Sequence, residues 1–171
     1  MALECYVNDL THQSSQEIYR IGIKELQDLN YILTTLEDSR ASLVAKIEAT
    51  YYILTGNKFD RGNKAHQELS MLIRLRNELV HRKPEPTGEW GVNFEQEFEP
   101  HKLVKFFVDR NIIEKPSPNS PPSWSQYLNR PEVAKWAYNV AATQIIDIAS
   151  WLPGSHLSYI QSFMVKDIEK I

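Results

Sequence analysis

The residues best suited to chemistry on a phosphate group lie in one short segment, Arg76-Asn77-Glu78-Leu79-Val80-His81. Arginine carries several N–H donors in a fixed plane, so it can bind two phosphate oxygens at once. Histidine ordinarily titrates close to neutrality, so it can both accept and donate a proton. An arginine and a histidine that meet in one groove could therefore bind a phosphate group and move protons beside it.

Both residues also have structural explanations that the sequence leaves open. Arg76 interrupts the apolar stripe of its own predicted helix, because leucines stand at positions i−7, i−4 and i+3. A buried charge must be paired or face a polar cleft, so Arg76 either pairs with a core carboxylate, for which Glu48 is the candidate, or lines an anion-binding groove. His81 could simply cap the helix. On a continuous helix it would point about 140° away from Arg76, so the two meet only if the helix ends early.

Apolar spacing and capping residues predict the helices that position this segment. Four long helices are expected, from about Ser14 to Leu36, Arg40 to Thr55, Lys64 to Val80 and Pro131 to Trp151. A short helix is expected over 100–110 and a last one over 156–170. Residues 83–130 otherwise form an irregular, Pro-rich insertion. We predict one all-α domain over residues 1–171: an antiparallel bundle of four long helices with a C-terminal extra helix and a long insertion before the fourth.

In this context the segment resembles the signature of the HEPN superfamily (higher eukaryotes and prokaryotes nucleotide-binding), in which an arginine, a polar residue and a later histidine close a bundle helix. The resemblance implies a metal-independent endoribonuclease in toxin–antitoxin or anti-phage defence, acting by attack of the RNA 2′-hydroxyl. It makes His81 the general base or acid, Arg76 the residue that stabilises charge on the phosphate, and Asn77 the residue that orients one of them.

The resemblance also implies partners and supporting residues. The partners are RNA, a second copy of the chain across a basic cleft, and an antitoxin or other defence protein. The residues themselves make Glu48 either the side chain that pairs with Arg76 and positions it, or simply an exposed helix residue. The residues expected to steer RNA phosphates are Lys58, Arg61, Arg82 and Lys83. Lys83 stands where one toxin branch carries a modified tyrosine, so that mode of control is not expected.

Two other functions fit the same residues. One is a non-catalytic HEPN-like module that binds a nucleotide or a protein partner in this groove. The other is a purely structural bundle. Neither the nuclease nor these alternatives requires a cofactor, and the scattered histidines match no zinc-site spacing, so no metal site is expected.

Composition limits the remaining possibilities. The chain has 171 residues and a net charge of −3. Residues 58–83 hold seven Lys/Arg and three Asp/Glu, so this stretch carries +4 and the remainder −7. A solvated helix face explains that charge as readily as an anionic ligand does. With a single cysteine, Cys5, no leader peptide and no apolar run of about 20 residues, we expect a cytoplasmic protein without a membrane span.

Overall fold

The structure, a computed structural model, describes residues 2–16, 23–81, 101–115, 124–154 and 156–168. Every regular element in these ranges is a helix, which confirms the all-α prediction. The helices are α1 (Ala2–Ser15), α2 (Lys24–Asp38), α3 (Leu43–Thr55), α4 (Lys64–Val80), α5 (Lys102–Asp109), α6 (Trp124–Leu128), α7 (Pro131–Trp151) and α8 (His156–Val165).

The chain forms two compact units. The first unit is Met1–Ser70 with Asn139–Ile171, and the second unit is Met71–Tyr138. Within the ranges that the structure describes, no helix has the length and apolar character needed to cross a membrane. The single domain expected over residues 1–171 stays a prediction.

In the first unit, α2 packs against α3 and α1 contacts both. Their apolar residues recur at three- and four-residue steps, which gives each helix one face to bury. The fully buried apolar side chains on these helices are Leu3, Leu10, Leu26, Leu29, Leu33 and Ile47. Ser42 caps the start of α3 by accepting the N–H of Ala45 at 3.2 Å, and Gly56 ends it at φ +72°, a backbone angle that favours glycine.

A buried lysine joins these three helices. Lys46 on α3 is 8% exposed, and its ammonium donates to the carboxylate of Glu37 on α2. The same ammonium lies 3.4 Å from the side-chain oxygen of Asn8 on α1. A buried ammonium is tolerated only when it is paired, so these contacts specify how α3 meets both neighbours.

The second unit is organised around Phe107, which is fully buried. Edge-on contacts join its ring to Trp136 at 4.9 Å and to Phe106 at 5.2 Å. The other buried members of this cluster are Leu75, Leu103, Val104, Ile113, Tyr127, Leu128 and Val133. The second half of α4 therefore shares a core with α5, α6 and the beginning of α7.

The structure corrects two expectations about the elements. Ser14 does not begin the first long helix: it lies in the last turn of α1, where its hydroxyl donates to the carbonyl of Thr11 at 2.9 Å. The predicted partner of Ser14 in a capping box, Glu17, lies outside the described residues. The stretch 83–130, expected to be irregular apart from one short helix, contains both α5 and α6. Its proline-rich part, residues 116–123, lies outside the described ranges.

Candidate functional site

The Arg76–His81 segment forms the last turn of α4 and the residue after it. Leu72 and Leu75 on the preceding turns are buried, which fixes the helix on its core. Arg76 is half-buried, whereas Asn77 and His81 are exposed. The core-facing leucines thus leave the polar residues of the motif at the solvent-accessible end of a packed helix.

Asn77 contacts both of the other motif residues. Its side-chain oxygen accepts a hydrogen bond from Arg76 Nη1 at 3.1 Å. Its backbone carbonyl accepts the N–H of His81 at 2.9 Å. The side-chain bond restricts the guanidinium, and the backbone bond fixes where the histidine leaves the helix.

The hydrogen bond from His81 to Asn77 has another consequence. It joins residues four apart, which is the α-helical pattern, so the helical backbone continues to the His81 amide. The helix does not end early between Arg76 and His81. The directions in which these two residues leave the helix axis therefore differ by about 140°.

Apolar residues between the two polar ones face solvent. Leu79 is 51% exposed and Val80 is 61% exposed. The sequence interpretation used them to fill the space between arginine and histidine, but here they extend the exposed surface of the motif. An adjacent pair of exposed branched residues is a surface that another molecule can cover.

The basic charge of residues 58–83 is partly balanced within the same stretch. Lys64 lies 3.7 Å from Glu68, and Arg74 lies 3.9 Å from Glu78, both one helical turn apart. Lys58 is exposed. Arg82 and Lys83, two of the four residues predicted to steer RNA, lie outside the described residues.

Arg61 and Glu48 bind each other. The sequence predicts instead that Arg61 steers RNA and that Glu48 is the partner of Arg76. Arg61 Nε and Nη2 donate to the two carboxylate oxygens of Glu48 at 2.9 and 2.8 Å. His66 Nε2 lies 3.1 Å from Glu48 Oε1. Because an ionised carboxylate only accepts, this nitrogen carries the hydrogen. The RNA-steering role predicted for Arg61 and the partnership predicted between Glu48 and Arg76 stay predictions.

This ion-pair cluster of Glu48, Arg61 and His66 connects α3, the loop after it and the first turn of α4. The pKa of the Glu48 carboxyl is lowered below its usual value, chiefly by the hydrogen bonds from Arg61. The positive charge of Arg61 and the contact with His66 lower it further, and together these effects outweigh burial, which would raise it. The same bonds raise the pKa of the Arg61 guanidinium. The carboxylate is therefore ionised throughout the neutral range and holds the loop in place.

Replacing Glu48 with glutamine should destabilise the protein in a pH-dependent way. A lowered folded-state pKa contributes stability above the ordinary glutamate pKa of 4.5 and loses it as the pH falls through the folded-state value. At pH 7 we expect Glu48→Gln to lower Tm by on the order of 2 °C, since solvent screens the pair. Thermal unfolding followed by circular dichroism at pH 7 and pH 3 measures this.

The control is Glu114→Gln, which changes an exposed carboxylate in the second unit. The Tm difference between the Glu48 variant and this control should be smaller at pH 3 than at pH 7, because pH 3 brings Glu48 closer to its lowered pKa and so to protonation. A Tm difference that persists unchanged at pH 3 would contradict the ionic explanation.

His66 is the residue of this cluster to which the sequence gave no role. Its backbone N–H donates to Asn63 Oδ1 at 2.8 Å, an N-cap contact that turns the first residues of α4 toward α3. Its ring lies 5.7 Å from that of Phe59, which also contacts Tyr51 at 4.9 Å. The Asn63 cap was readable from the sequence; the pairing with Glu48, 18 positions away, was not.

Over the described ranges, no group of three or more His, Cys, Asp or Glu side chains is arranged to hold a metal ion. The fold and the geometry of the motif define an all-α protein whose Arg–Asn–His segment lies at a helix end, with the arginine half-buried and the other two residues exposed. No family model, curated protein or solved structure matches the chain.

Proposed function

We propose that this chain is a metal-independent endoribonuclease of HEPN type, acting in toxin–antitoxin or anti-phage defence. The observation that carries the proposal is the pair of bonds made by Asn77, to the Arg76 guanidinium and to the His81 backbone. In this mechanism His81 takes the proton of the RNA 2′-hydroxyl or gives one to the leaving 5′-oxygen. Arg76, oriented by Asn77, binds the phosphate oxygens on which negative charge develops.

We further propose that the long helices form the antiparallel bundle of that superfamily and that the nuclease is a homodimer. Two subunits account for the angle of about 140° between Arg76 and His81. One helix directs these two residues apart, and in a dimer the motif of the second subunit faces the first and supplies the residue that is missing beside each. The exposed Leu79 and Val80 give the motif an apolar border that a second copy can cover. The RNA-steering role remains with Lys58, Arg61, Arg82 and Lys83.

The direct test is cleavage of single-stranded RNA by the purified protein in the presence of EDTA. We expect cleavage to continue, because the proposed mechanism needs no metal ion. The 5′ fragments should end in a 2′,3′-cyclic phosphate or the monophosphate formed when it opens, which mass spectrometry of the fragments identifies. RNA with a 2′-O-methyl group at the cleaved nucleotide should resist, since it lacks the nucleophile. Fragments with a 3′-hydroxyl end would contradict the mechanism.

The second candidate is a non-catalytic module that binds a nucleotide, and the unbroken helix favours it. Because α4 continues to the His81 amide, Arg76 can bind a phosphate without any help from the histidine. This function predicts no cleavage, together with a rise in Tm on addition of ATP that Arg76→Ala removes and His81→Ala retains. The two variants therefore separate the candidates.

A further inference from the structure

The ring of His101, at the start of α5, makes two contacts that respond in opposite ways to a proton. Its Nδ1 accepts the backbone N–H of Leu103 at 3.4 Å, which makes His101 the N-cap of the helix. The ring is also stacked on the indole of Trp124, the first residue of α6, with the ring centroids 4.6 Å apart and an angle of 18° between the planes. One hydrogen bond and one aromatic ring therefore hold the imidazole.

The cap contact requires the neutral form of the imidazole. A ring nitrogen accepts a hydrogen bond only through a free lone pair, and in the imidazolium both nitrogens carry a hydrogen. Because Nδ1 accepts from Leu103, the neutral ring of His101 carries its hydrogen on Nε2. Uptake of a proton at Nδ1 removes the acceptor and places an N–H group against the Leu103 N–H.

The charged groups near His101 oppose that proton. The first turn of α5 contains no acidic residue but carries the exposed Lys102 and Lys105, and the carboxylate of this helix, Asp109, is at its other end. On α6 the ionisable side chain is that of Tyr127, which is buried. Within the described ranges His101 forms no ion pair with a carboxylate. The start of a helix is also the positive end of its dipole, so a cation there is unfavourable.

The stack on Trp124 favours the proton instead, because a cation over the face of an indole is attracted by its π electrons. This attraction keeps the protonated ring of His101 in place, but it supplies no acceptor for the Leu103 amide. The two contacts therefore separate on protonation: the stack is retained and the cap is lost.

We propose that His101 is a proton-sensitive cap, which stabilises α5 at neutral pH and releases its first turn in mildly acidic conditions. Histidine ordinarily takes up a proton just below neutrality. The helix has only eight residues, so its first turn is a large part of it, and it supplies four residues to the buried cluster around Phe107. Loss of the cap therefore weakens the core of the second unit, whether or not the protein cleaves RNA.

Thermal unfolding of the parent protein and of His101→Asn at pH 7.5 and pH 5.5 tests the cap. Asparagine is among the strongest N-cap residues and does not titrate, so the variant keeps an acceptor for Leu103 at both pH values. The folded state favours the neutral histidine, so the contribution of the cap is present at pH 7.5 and is lost as the pH falls. We expect acidification to lower the Tm of the parent by about 2–4 °C more than that of His101→Asn, the usual effect of one lost cap. His12→Asn, which removes an exposed histidine from α1, should keep the pH dependence of the parent.

Tryptophan fluorescence over the same pH range tests the stack. A protonated imidazole in contact with an indole quenches its emission, whereas a neutral one quenches it much less. The parent protein should therefore lose emission between pH 7.5 and pH 5.5. His101→Asn should lose less, because it has no imidazole beside Trp124.

The two measurements decide the proposal. A larger fall in Tm in the parent than in His101→Asn, together with the quenching, supports the proton-sensitive cap. An equal fall in both proteins overturns it, because the pH dependence then has another source. A smaller fall in the parent also overturns it, since the gain in stacking would then exceed the loss of the cap. Quenching that persists fully in His101→Asn contradicts the stack on Trp124.

Discussion

Substituting alanine for His81 is expected to reduce RNA cleavage by about 10²- to 10⁴-fold, the usual contribution of a positioned acid or base. Arg76→Ala should reduce it by about 10²- to 10³-fold, because the variant loses a fixed donor to the charge developing on the phosphate. Both follow from the proposed mechanism. The measurement is the initial rate of cleavage of a fluorescent single-stranded RNA in EDTA.

The His81 variant should remain folded, because that side chain is exposed at a helix end. Substitutions at such positions usually change stability by no more than about 0.5 kcal/mol. Two controls match the chemistry of the changes. His12→Ala removes an exposed histidine from α1. Arg74→Ala removes an arginine from α4, the helix of the motif, where it lies one turn from Glu78. If His81→Ala cleaves as fast as His12→Ala while folded, the nuclease activity does not belong to this motif.

The largest stability effect is expected from Phe107→Ala in the second unit. Phe107 is fully buried and its ring contacts Trp136 and Phe106. Truncating a buried phenylalanine removes its apolar burial and leaves a cavity, which together cost about 3–5 kcal/mol. Urea unfolding followed by tryptophan fluorescence measures the change in the free energy of unfolding.

The matched control is Phe163→Ala on α8, where the ring is 56% exposed. We expect a change of no more than about 0.5 kcal/mol there. Leu75 belongs to the same buried cluster as Phe107 and directly precedes Arg76, so Phe107→Ala should also slow RNA cleavage. Equal destabilisation by the two phenylalanine variants would show that the Phe107 cluster is not the core of its unit.

Strong local signals made two helices predictable to the residue. Lys64–Val80 and Pro131–Trp151 were read from apolar periodicity together with their flanking residues, and the structure has these bounds. A motif of only two residues gave a wrong helix start. Ser14 with Glu17 has the form of a capping box, yet Ser14 lies inside α1. α1 itself repeats Leu3, Val7 and Leu10 at helical steps, a pattern that the capping assignment obscured.

The site was predictable only in part, for a different reason. The position of Arg76, Asn77 and His81 at the end of a packed helix follows from the leucines around them. The partner of Glu48 does not, because Arg61 and His66 reach it from 13 and 18 positions away through folds of the chain. The sequence predicts that Arg61 steers RNA phosphates, whereas only the tertiary structure shows that it is paired with a carboxylate.

The contacts among the first three helices depend in part on one amine, that of Lys46. Its single ammonium binds both Glu37 and Asn8, so acetylation of this amine would remove the positive charge that attracts both partners. Amine-modifying reagents should reach it only when α1, α2 and α3 separate. The rate at which this lysine is labelled would therefore report how often these three helices separate.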